Sequence, residues 1–369
     1  MRFLTADYLF PLHTSPLKEG VLQISDNGKI IEIFEKRSDV PQDKLEIFKG
    51  FLCPGFVNAH CHLELSHLEG IAKKGKGFLN FLDTVNQRNK FAKEQIQIAI
   101  ENAEEQMINS GIVGVGDICN TADTLFQKSK NNLQYYNFIE IFGVQNAKTN
   151  KIIKAAIELK NQFREIDERA TVVPHAPFSV PPKLMRLIGN IFDEKDFTLS
   201  IHLQETKLEN ILFEKKKGGL FDWLNSISAT DEIWKYRNKS TDVVLELHKH
   251  KILLVHNTFT KKEDLTSNYY CTCPKANLYI EKTLPDYSIF DIDKLCVGTD
   301  SLASNNSLSI LEEIKIIKEN SKLNIDSLLK IACKNGAEAL GFEKLGTFEK
   351  DKNPGVNLIQ SFEKVEVIV

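Results

Sequence analysis

Residues 54–67 of the chain are Pro-Gly-Phe-Val-Asn-Ala-His-Cys-His-Leu-Glu-Leu-Ser-His. The apolar run 51–57 predicts a β-strand that delivers His60 and His62 at its end. Side chains two residues apart on a strand point to the same face, so two imidazoles there can supply half of a tetrahedral metal site. Alternatively, the pair arose by chance, with one histidine packed and the other solvated. The preceding Pro-Gly turn and the polar residues around the pair favour a metal site at the mouth of a barrel.

Length and composition limit the classes of protein to consider. With 369 residues, the chain suits a barrel of about 250 residues and a smaller domain. A formal net charge of −3 provides no electrostatic basis for binding nucleic acid or an anionic membrane. Seven scattered cysteines indicate free thiols in a reducing compartment. No signal peptide begins the chain and no apolar run approaches 18 residues, so we expect a cytoplasmic protein.

Both ends of the chain have β character. Short strands are predicted at 3–10, 20–24, 29–34 and 365–369. An Asp-Asn-Gly turn at 26–28 lies between two of them and is a strong hairpin signal, and Asn-Pro-Gly at 353–355 makes another turn. We predict that residues 1–53 and 346–369 form one small β-sandwich-like domain.

Residues 54–345 alternate between apolar runs and helical stretches. The predicted strands after the first are 113–118, 136–144, 171–175, 198–202, 252–256, 269–279 and 294–299. Continuous apolar composition indicates strands that are covered on both faces. Helices are predicted at 94–110, before Gly111 as a cap, at 151–163, and after Pro181. Eight strands separated by helices predict an α/β fold, specifically a (β/α)₈ TIM barrel.

Three later strands also end in polar residues, namely His202, His256 and Asp300. The carboxyl ends of barrel strands form the face on which active sites are built. One histidine in such a position is more often a structural residue, but four strand ends that supply His or Asp favour a shared site. Three imidazoles and a carboxylate, from His60, His62, His202 and Asp300, suit Zn²⁺ or Fe²⁺, which lowers the pKa of water from about 15.7 to about 7.

Glu205 lies three residues beyond His202 and is predicted to be the proton shuttle of this site. The alternative is a solvated loop carboxylate without a catalytic role. His256 and Asp300 are predicted to hold the attacking water and to orient it, and Asp300 also to carry a second proton to the leaving group.

The sequence resembles the amidohydrolase superfamily, specifically its chlorohydrolase and nucleoside deaminase branch. The motifs that carry the resemblance occur in the order of the family within residues 50–310. They are Pro-Gly-Phe-Val-Asn-Ala-His-Cys-His at 54–62, Val-Pro-His-Ala-Pro-Phe at 173–178, His-Leu-Gln-Glu-Thr at 202–206, Val-His-Asn at 255–257, Cys-Pro-Lys-Ala-Asn at 273–277 and Gly-Thr-Asp-Ser-Leu-Ala-Ser-Asn at 298–305.

The resemblance implies the residue roles of this family. It implies one metal ion per chain, held by His60, His62, His202 and Asp300. It also implies that Glu205 protonates a ring nitrogen, that His256 assists the attacking hydroxide and that His175 contacts the nucleoside part of the substrate. Binuclear relatives have a bridging lysine at the end of the fourth strand, and residues 171–175 contain none. A mononuclear site favours deamination of an aromatic ring over hydrolysis of an amide.

The cysteines near these motifs have two possible roles. Cys61 stands where relatives often have threonine, and it is expected to pack because it points away from its two neighbours. Cys271 and Cys273 can be a second metal pair, but without further paired cysteines we interpret them as buried thiols.

The segment 203–249 is long for a barrel loop and contains Phe221, Trp223 and Trp234 after a Gly-Gly pair. One interpretation is an amphipathic helix packed on the barrel. The other is a lid whose aromatic side chains line the substrate pocket.

Among the deaminases, residues 58–67 and 298–305 are most similar to aminofutalosine deaminases, which act on 6-amino-6-deoxyfutalosine on a route to menaquinone. Deaminases of adenosine, S-adenosylhomocysteine, methylthioadenosine, guanine or cytosine stay open as alternatives. An imidazolonepropionase-like hydrolase of cyclic amides and a non-catalytic metal-binding relative also stay open. We expect a small-molecule nucleoside as the partner, with no nucleic acid and no membrane, and a homodimer is an alternative to a monomer.

Overall fold

The structure is a computed structural model that describes residues 1–166, 168–247 and 249–369. Its strands are β1 (Arg2–Thr5), β2 (Tyr8–Leu9), β3 (Leu17–Lys18), β4 (Val21–Ile24), β5 (Ile30–Phe34), β6 (Leu45–Ile47), β7 (Phe51–Pro54), β8 (Phe56–Cys61), β9 (Ile112–Cys119), β10 (Gln134–Ile141), β11 (Arg169–Pro174), β12 (Leu199–Leu203), β13 (Ile252–His256), β14 (Tyr269–Thr272), β15 (Leu295–Val297), β16 (Val356–Gln360) and β17 (Lys364–Val367).

The α-helices are α1 (Phe78–Val85), α2 (Lys93–Asn109), α3 (Leu125–Lys128), α4 (Thr149–Glu165), α5 (Pro182–Asn190), α6 (Lys207–Lys215), α7 (Gly219–Ser226), α8 (Glu232–Lys235), α9 (Asp242–Glu246), α10 (Pro274–Ile280), α11 (Ile310–Glu319), α12 (Ile325–Leu329) and α13 (Asn335–Leu340). Short 3₁₀ segments include Leu63–Leu68 and Arg88–Lys90, and a π-helical turn joins α12 to α13. Within the described residues, none of these helices has the length and apolar character needed to cross a bilayer.

Strands β8 to β15 are parallel and form two four-stranded sheets, in the orders β11-β10-β9-β8 and β12-β13-β14-β15. Backbone hydrogen bonds connect both pairs of sheet edges. The His202 N–H donates to the His175 carbonyl over 2.9 Å, and the Thr299 and Asp300 N–H groups each donate to the His60 carbonyl over 3.0 Å. The predicted mixed α/β fold with parallel strands is therefore confirmed.

The strands of these sheets are mainly apolar, as expected where helices and the opposite strands cover both of their faces. Every residue of β8, β12, β13 and β14 is buried, as expected of strands without a solvated face. The predicted helix 94–110 corresponds to α2, and Gly111 follows it with φ +81°, a conformation that suits a residue without a Cβ. The helix predicted after Pro181 is α5.

Two further sheets contain segments from both ends of the chain. One has the order β5-β4-β1-β6, and the other has the order β17-β16-β7-β2-β3. The hairpin of β4 and β5 confirms the turn predicted at 26–28, where Gly28 has φ +79°. Antiparallel pairing of β16 with β7 joins the last residues of the chain to residues 51–54. Buried apolar side chains from both ends, including Leu4, Leu52 and Phe348, pack between the sheets.

Three predicted strands differ from the structure. The strand predicted at 269–279 is wrong beyond Thr272, because Pro274 begins helix α10 at the position where a missing N–H costs nothing. The strand predicted at 3–10 is divided into β1 and β2, and the strand predicted from the run 51–57 is divided into β7 and β8; the two parts belong to different sheets in each case. At each of these places the backbone changes direction within an apolar run.

A fully buried ion pair holds the backbone directly after His60 and His62. Lys128 of α3 lies 2.5 Å from an Asp117 carboxylate oxygen on β9 and donates to the Asn137 side-chain oxygen on β10 over 2.6 Å. Burial alone would lower the pKa of Lys128, but the Asp117 carboxylate outweighs it and the pKa is raised. The second Asp117 oxygen accepts a hydrogen bond from the Leu63 N–H over 2.8 Å. The pair therefore holds the backbone that follows His62.

Replacing Lys128 with Met leaves the Asp117 carboxylate buried without a counter-charge. We expect Lys128→Met to lower the free energy of unfolding by about 3–5 kcal/mol, because breaking one side of a buried pair strands the other charge. Urea unfolding followed by circular dichroism measures the change. The control is Lys130→Met, which removes a surface pair with Glu101 and is expected to cost less than about 1 kcal/mol. Equal effects of the two variants would contradict a structural role for the buried pair.

Candidate metal and catalytic site

The four predicted metal ligands lie together at the carboxyl ends of their strands. His60 is in β8, His62 follows that strand, His202 is in β12, and Asp300 lies three residues after β15. The Nε2 atom of His62 is 3.1 Å from that of His60 and 3.2 Å from that of His202. An Asp300 carboxylate oxygen lies 3.6 Å from His60 Nε2 and 3.4 Å from His62 Nε2. The tertiary structure thus joins residues that are up to 240 positions apart in the chain.

These separations fit a tetrahedral metal ion. Ligand atoms at the bond lengths typical of zinc are about 3.3 Å from one another, close to the separations of the four side chains. The Nε2 atoms of three histidines face one point, and they cannot all satisfy one another because a neutral imidazole has one donor and one acceptor. A cation at the shared point satisfies the three nitrogen lone pairs.

The charges at this point also suit a divalent cation. Burial lowers the pKa values of His60 and His62, which therefore stay neutral, the form in which imidazole binds metals. Burial raises the pKa of the Asp300 carboxyl. A hydrogen bond with His60 and the imidazoles of His62 and His256 outweigh this effect and hold the pKa below its usual range. The site therefore has one negative charge among neutral ligands.

Glu140 is a residue of the candidate site that the sequence analysis missed. It belongs to β10, and its carboxylate lies 3.4 Å from the Nδ1 atom of His202, which is also 2.9 Å from the His175 carbonyl. Burial would raise the pKa of Glu140, but nearby imidazoles, first that of His175, lower it to about 2. The bond to the His175 carbonyl orients His202 so that its other nitrogen faces the candidate metal ligands, and the Glu140 carboxylate adds a negative charge beside the ring. The sequence signal that could have identified Glu140 is a single acidic residue inside the apolar run Phe-Ile-Glu-Ile at 138–141.

Glu205 lies next to the ligands, where its carboxylate is 3.7 Å from His256 Nε2. It is 5% exposed, so the alternative of a solvated loop carboxylate is wrong. Burial raises the pKa of Glu205 to about 8, and burial lowers that of His256. The Nδ1 atom of His256 lies 2.9 Å from the side-chain oxygen of Asn277, which can only accept a hydrogen bond. His256 therefore presents an unprotonated Nε2 towards Glu205.

Several strand ends at the site have left-handed backbone conformations without glycine. The φ angles are +71° at His256, +57° at Asp300 and +51° at Gln204. Such a residue costs on the order of 1–3 kcal/mol and persists where surrounding contacts over-determine it, often at active sites. The sequence contains no signal for these conformations because none of the residues is Gly.

A cavity of about 240 Å³ opens above the candidate ligands. One wall is apolar and contains Leu65, Phe78, Phe81, Leu82, Val85, Phe142 and Trp223. The other wall contains the polar residues of the site and His175, whose Nδ1 atom lies 2.8 Å from the Ser179 hydroxyl. A larger and more open groove of about 1440 Å³ lies elsewhere and is lined by none of the candidate ligands or Glu205. We therefore place the chemistry in the smaller cavity.

The segment 203–249 combines both interpretations made from its sequence. It forms several short helices, α6 to α9, in place of one amphipathic helix. Trp223 lines the cavity. Phe221 and Trp234 do not line it, and their rings pack against each other at 5.4 Å. One of the three aromatic residues is thus in the position expected of a lid, and two have a packing role. His248, which belongs to this segment, lies outside the residues that the structure describes.

The cysteines are buried thiols, as predicted. All seven are free and buried, including Cys61, Cys271 and Cys273. Among the described residues, none of them belongs to a group with metal-ligand spacing, whereas the histidines and Asp300 do.

Comparisons with known proteins agree with this arrangement. The model of the amidohydrolase family matches residues 51–367. An adenosine deaminase of Helicobacter pylori is 26% identical over 357 residues, which cover 91% of this chain and 86% of that protein. A 5-methylthioadenosine/S-adenosylhomocysteine deaminase of Clostridium tetani is 25% identical over 367 residues, which cover 91% of this chain and 79% of that protein.

Solved structures share the fold. The Helicobacter pylori aminofutalosine deaminase in complex with methylthio-coformycin superposes with a TM-score of 0.83 at 24% identity, covering 99% of this chain and 93% of that one. An adenosine deaminase from Xanthomonas campestris with bound zinc superposes with a TM-score of 0.77 at 20% identity, covering 97% and 84% of the two chains.

Removing one candidate ligand tests the metal site directly. We expect His60→Ala to lower the metal content, measured by elemental analysis after dialysis, from about one ion per chain to near zero, because a structural set of four ligands loses its geometry with one member. The matched control is His67→Ala. The His67 ring packs against Phe91 and bonds to the Arg88 carbonyl, outside the ligand group. Two tightly held ions per wild-type chain, or equal metal content in both variants, would contradict the site.

Proposed function

The chain belongs to the amidohydrolase family, and from this membership we propose that it is a metal-dependent hydrolytic deaminase of a 6-aminopurine nucleoside. The observation that carries the proposal is the position of Glu205. Its buried carboxyl lies beside His256, at the edge of the three histidines and Asp300, and faces the cavity. A protein that only stored metal would need the ligands but not a buried proton carrier next to them.

We assign the metal to His60, His62, His202 and Asp300. When bound, Zn²⁺ or Fe²⁺ supplies Lewis acidity and lowers the pKa of water from about 15.7 to about 7. A single ion is proposed because β11, the fourth parallel strand, contains no lysine that would bridge two metals. The zinc in the Xanthomonas campestris adenosine deaminase structure supports zinc as the first choice.

The protein residues then move protons. Glu205 accepts a proton from the attacking water and donates it to N1 of the purine ring as the oxygen bonds to C6. This transfer keeps the ring from accumulating negative charge. His256 holds the water through its unprotonated Nε2. Asp300 passes the second proton to the amino group, the C6–N bond breaks, and the products are ammonia and the 6-oxopurine.

The substrate we favour is 6-amino-6-deoxyfutalosine, which is converted to futalosine and ammonia in menaquinone biosynthesis. The fold shared with the Helicobacter pylori aminofutalosine deaminase supports this choice. We propose that the apolar cavity wall of α1 and Trp223 receives a substituent at the 5′ position of the ribose, and that His175, which also lines the cavity, contacts the sugar. Deamination of methylthioadenosine or S-adenosylhomocysteine is the second candidate, favoured by the similarity to the Clostridium tetani enzyme.

The proposal includes the architecture and setting expected from the sequence. Residues 54–345 form the closed (β/α)₈ catalytic barrel, supported by hydrogen bonds between both pairs of sheet edges. Residues 1–53 and 346–369 form the small β domain, supported by the pairing of β16 with β7. A cytoplasmic location and a homodimer remain predictions.

Glu205→Gln tests the proton carrier. We expect metal content and nucleoside binding to persist while kcat falls by about 10²–10⁴-fold, because the amide keeps the size of the side chain but cannot exchange a proton. Steady-state kinetics and elemental analysis provide the two measurements. The control is Glu214→Gln in α6, where the carboxylate is exposed. A fully metallated Glu205→Gln enzyme within about tenfold of wild type would transfer the role to His256.

A panel of 6-aminopurine nucleosides tests the substrate. We expect a fall in absorbance near the adenine maximum, and kcat/KM higher for nucleosides with a large 5′ substituent than for adenosine, because only the former contact the apolar wall. Equal kcat/KM values would show that the wall does not select substrates. Release of no ammonia from any nucleoside, together with hydrolysis of a cyclic amide, would overturn the deaminase proposal.

A further inference from the structure

Glu209 is a buried acid that the proposed reaction does not use. It lies in the first turn of α6, four residues after Glu205, and its exposed fraction is 0%. It is not among the described residues that line the cavity. Burial raises the pKa of Glu209 to about 8, and the hydrogen bond from the Gln204 N–H is the largest effect that opposes this rise. A buried carboxyl group is costly unless hydrogen bonds compensate it, so the partner of Glu209 indicates its role.

The hydrogen bond of Glu209 connects helix α6 to the end of strand β12. The Gln204 N–H donates to Glu209 Oε1 over 3.0 Å. Thr206 is the N-cap of α6, and its hydroxyl oxygen accepts the Leu208 N–H over 3.3 Å. In an ordinary capping box, the acid at the third helical position accepts the N–H of the N-cap residue itself. Here the acid at that position reaches two residues further back, so the bond spans the segment that contains Glu205.

The backbone of Gln204 is the point at which this bond acts. Gln204 has φ +51°, a left-handed conformation that strains a residue other than glycine and persists where surrounding contacts over-determine it. Its carbonyl accepts the Phe259 N–H over 3.1 Å, and its side-chain oxygen accepts the Thr260 hydroxyl over 2.6 Å. Glu209 binds the remaining backbone group, the N–H. The direction of the chain at the next residue, Glu205, is therefore set in part by Glu209.

The candidate ligand His202 is held independently of Glu209. Its N–H donates to the His175 carbonyl over 2.9 Å, and the carbonyl of the next residue accepts the Asn257 N–H over 3.0 Å. These bonds join neighbouring strands and do not involve α6. Loss of the Glu209 carboxyl group is therefore expected to disturb the residues after the ligand and to leave the ligand in place.

We propose that Glu209 is a positioning residue, which holds the backbone before Glu205 so that the Glu205 carboxyl group points towards His256 and the cavity. This inference rests on the proposed deaminase function, in which Glu205 carries the proton. A displacement of about 1 Å can cost on the order of 100-fold in rate, because proton transfer requires close and aligned groups. The hydrogen bond to the Gln204 N–H needs only an acceptor oxygen, which a glutamine at position 209 keeps.

Kinetics of two variants test this role, with 6-amino-6-deoxyfutalosine, methylthioadenosine and adenosine as substrates. We expect Glu209→Met to lower kcat by about 10- to 100-fold, with KM changed by less than about threefold and metal content unchanged. Methionine has a similar length but only a weak acceptor. Glu209→Gln should stay within about threefold of the wild-type kcat, because it restores the hydrogen bond.

The matched control is Glu104→Met, which removes an equally buried acid from α2. The Glu104 carboxylate accepts hydrogen bonds from Gln127, Asn132 and Tyr135, which do not line the cavity. This variant should lower the urea midpoint of unfolding and keep the wild-type kcat. A fall in kcat equal to that of Glu209→Met would show that loss of any buried acid disturbs activity, and would overturn the inference.

A double variant tests whether Glu209 acts through Glu205. In Glu205→Gln the proton carrier is already absent. Adding Glu209→Met should therefore lower kcat by less than about twofold further, because residues that act as one unit have non-additive effects. If the two losses instead multiply, Glu209 supports the site in another way and the inference is overturned.

Hydrogen exchange gives a measurement without turnover. In the metal-loaded protein, the Gln204 amide should exchange about 10-fold faster or more in Glu209→Met, and at the wild-type rate in Glu209→Gln, because the lost bond protects it from local opening. Unchanged exchange or full kcat in Glu209→Met, or an equal loss of kcat in Glu209→Gln, would overturn the role of Glu209 and leave the deaminase proposal intact. If the wild-type protein deaminates no nucleoside, the proposed function fails, and the exchange rates still decide whether Glu209 holds the strand end.

Discussion

The site depends on one buried carboxylate among neutral imidazoles. Asp300 is 3% exposed, and its charge is held by contacts with His60 and His62 at 3.4–3.6 Å. A buried charge is costly unless a partner compensates it, and the donors on this face are histidine nitrogens whose pKa values burial lowers. A divalent cation is the species that neutralises the carboxylate and satisfies the nitrogen lone pairs together. The carboxyl ends of the parallel strands thus offer a site suited to a cation.

The same residues join the two parallel sheets. The His60 carbonyl accepts the N–H groups of Thr299 and Asp300, and the His202 N–H donates to the His175 carbonyl. Gly298 lies so close to His60 that a Cβ there would be 2.6 Å from the His60 carbonyl oxygen. The positions of the ligands are therefore set by backbone contacts between strands. These backbone hydrogen bonds fix the spacing of the strands, which explains why ligand side chains from separate strands lie close to one another.

Around this centre, most of the apolar lining of the cavity comes from segments between the strands. Trp223 belongs to α7, and four further apolar lining residues belong to α1. Glu140 lies beside His202 and itself lines the cavity, whereas the Asn277 side-chain oxygen lies 2.9 Å from Nδ1 of His256. Strand ends thus carry the candidate ligands, and connecting segments shape the cavity around them.

The sequence by itself determined the mixed α/β fold and the residue types that meet at the candidate site. The local pattern is an apolar run that ends in a histidine or an aspartate. It is visible without coordinates because strand periodicity and strand ends are properties of short segments. The residues that show it are His60, His62, His202, His256 and Asp300. Glu205 was identified from the sequence because it lies three residues after the candidate ligand His202.

Other features were decided only by the tertiary structure. The position of Glu140 beside His202 depends on the approach of a strand 62 positions away in the chain. The helix after Thr272 and the left-handed strand ends depend on neighbouring segments that force the backbone to turn. Such properties arise from packing between distant parts of the chain, and a linear pattern of residue types does not record them.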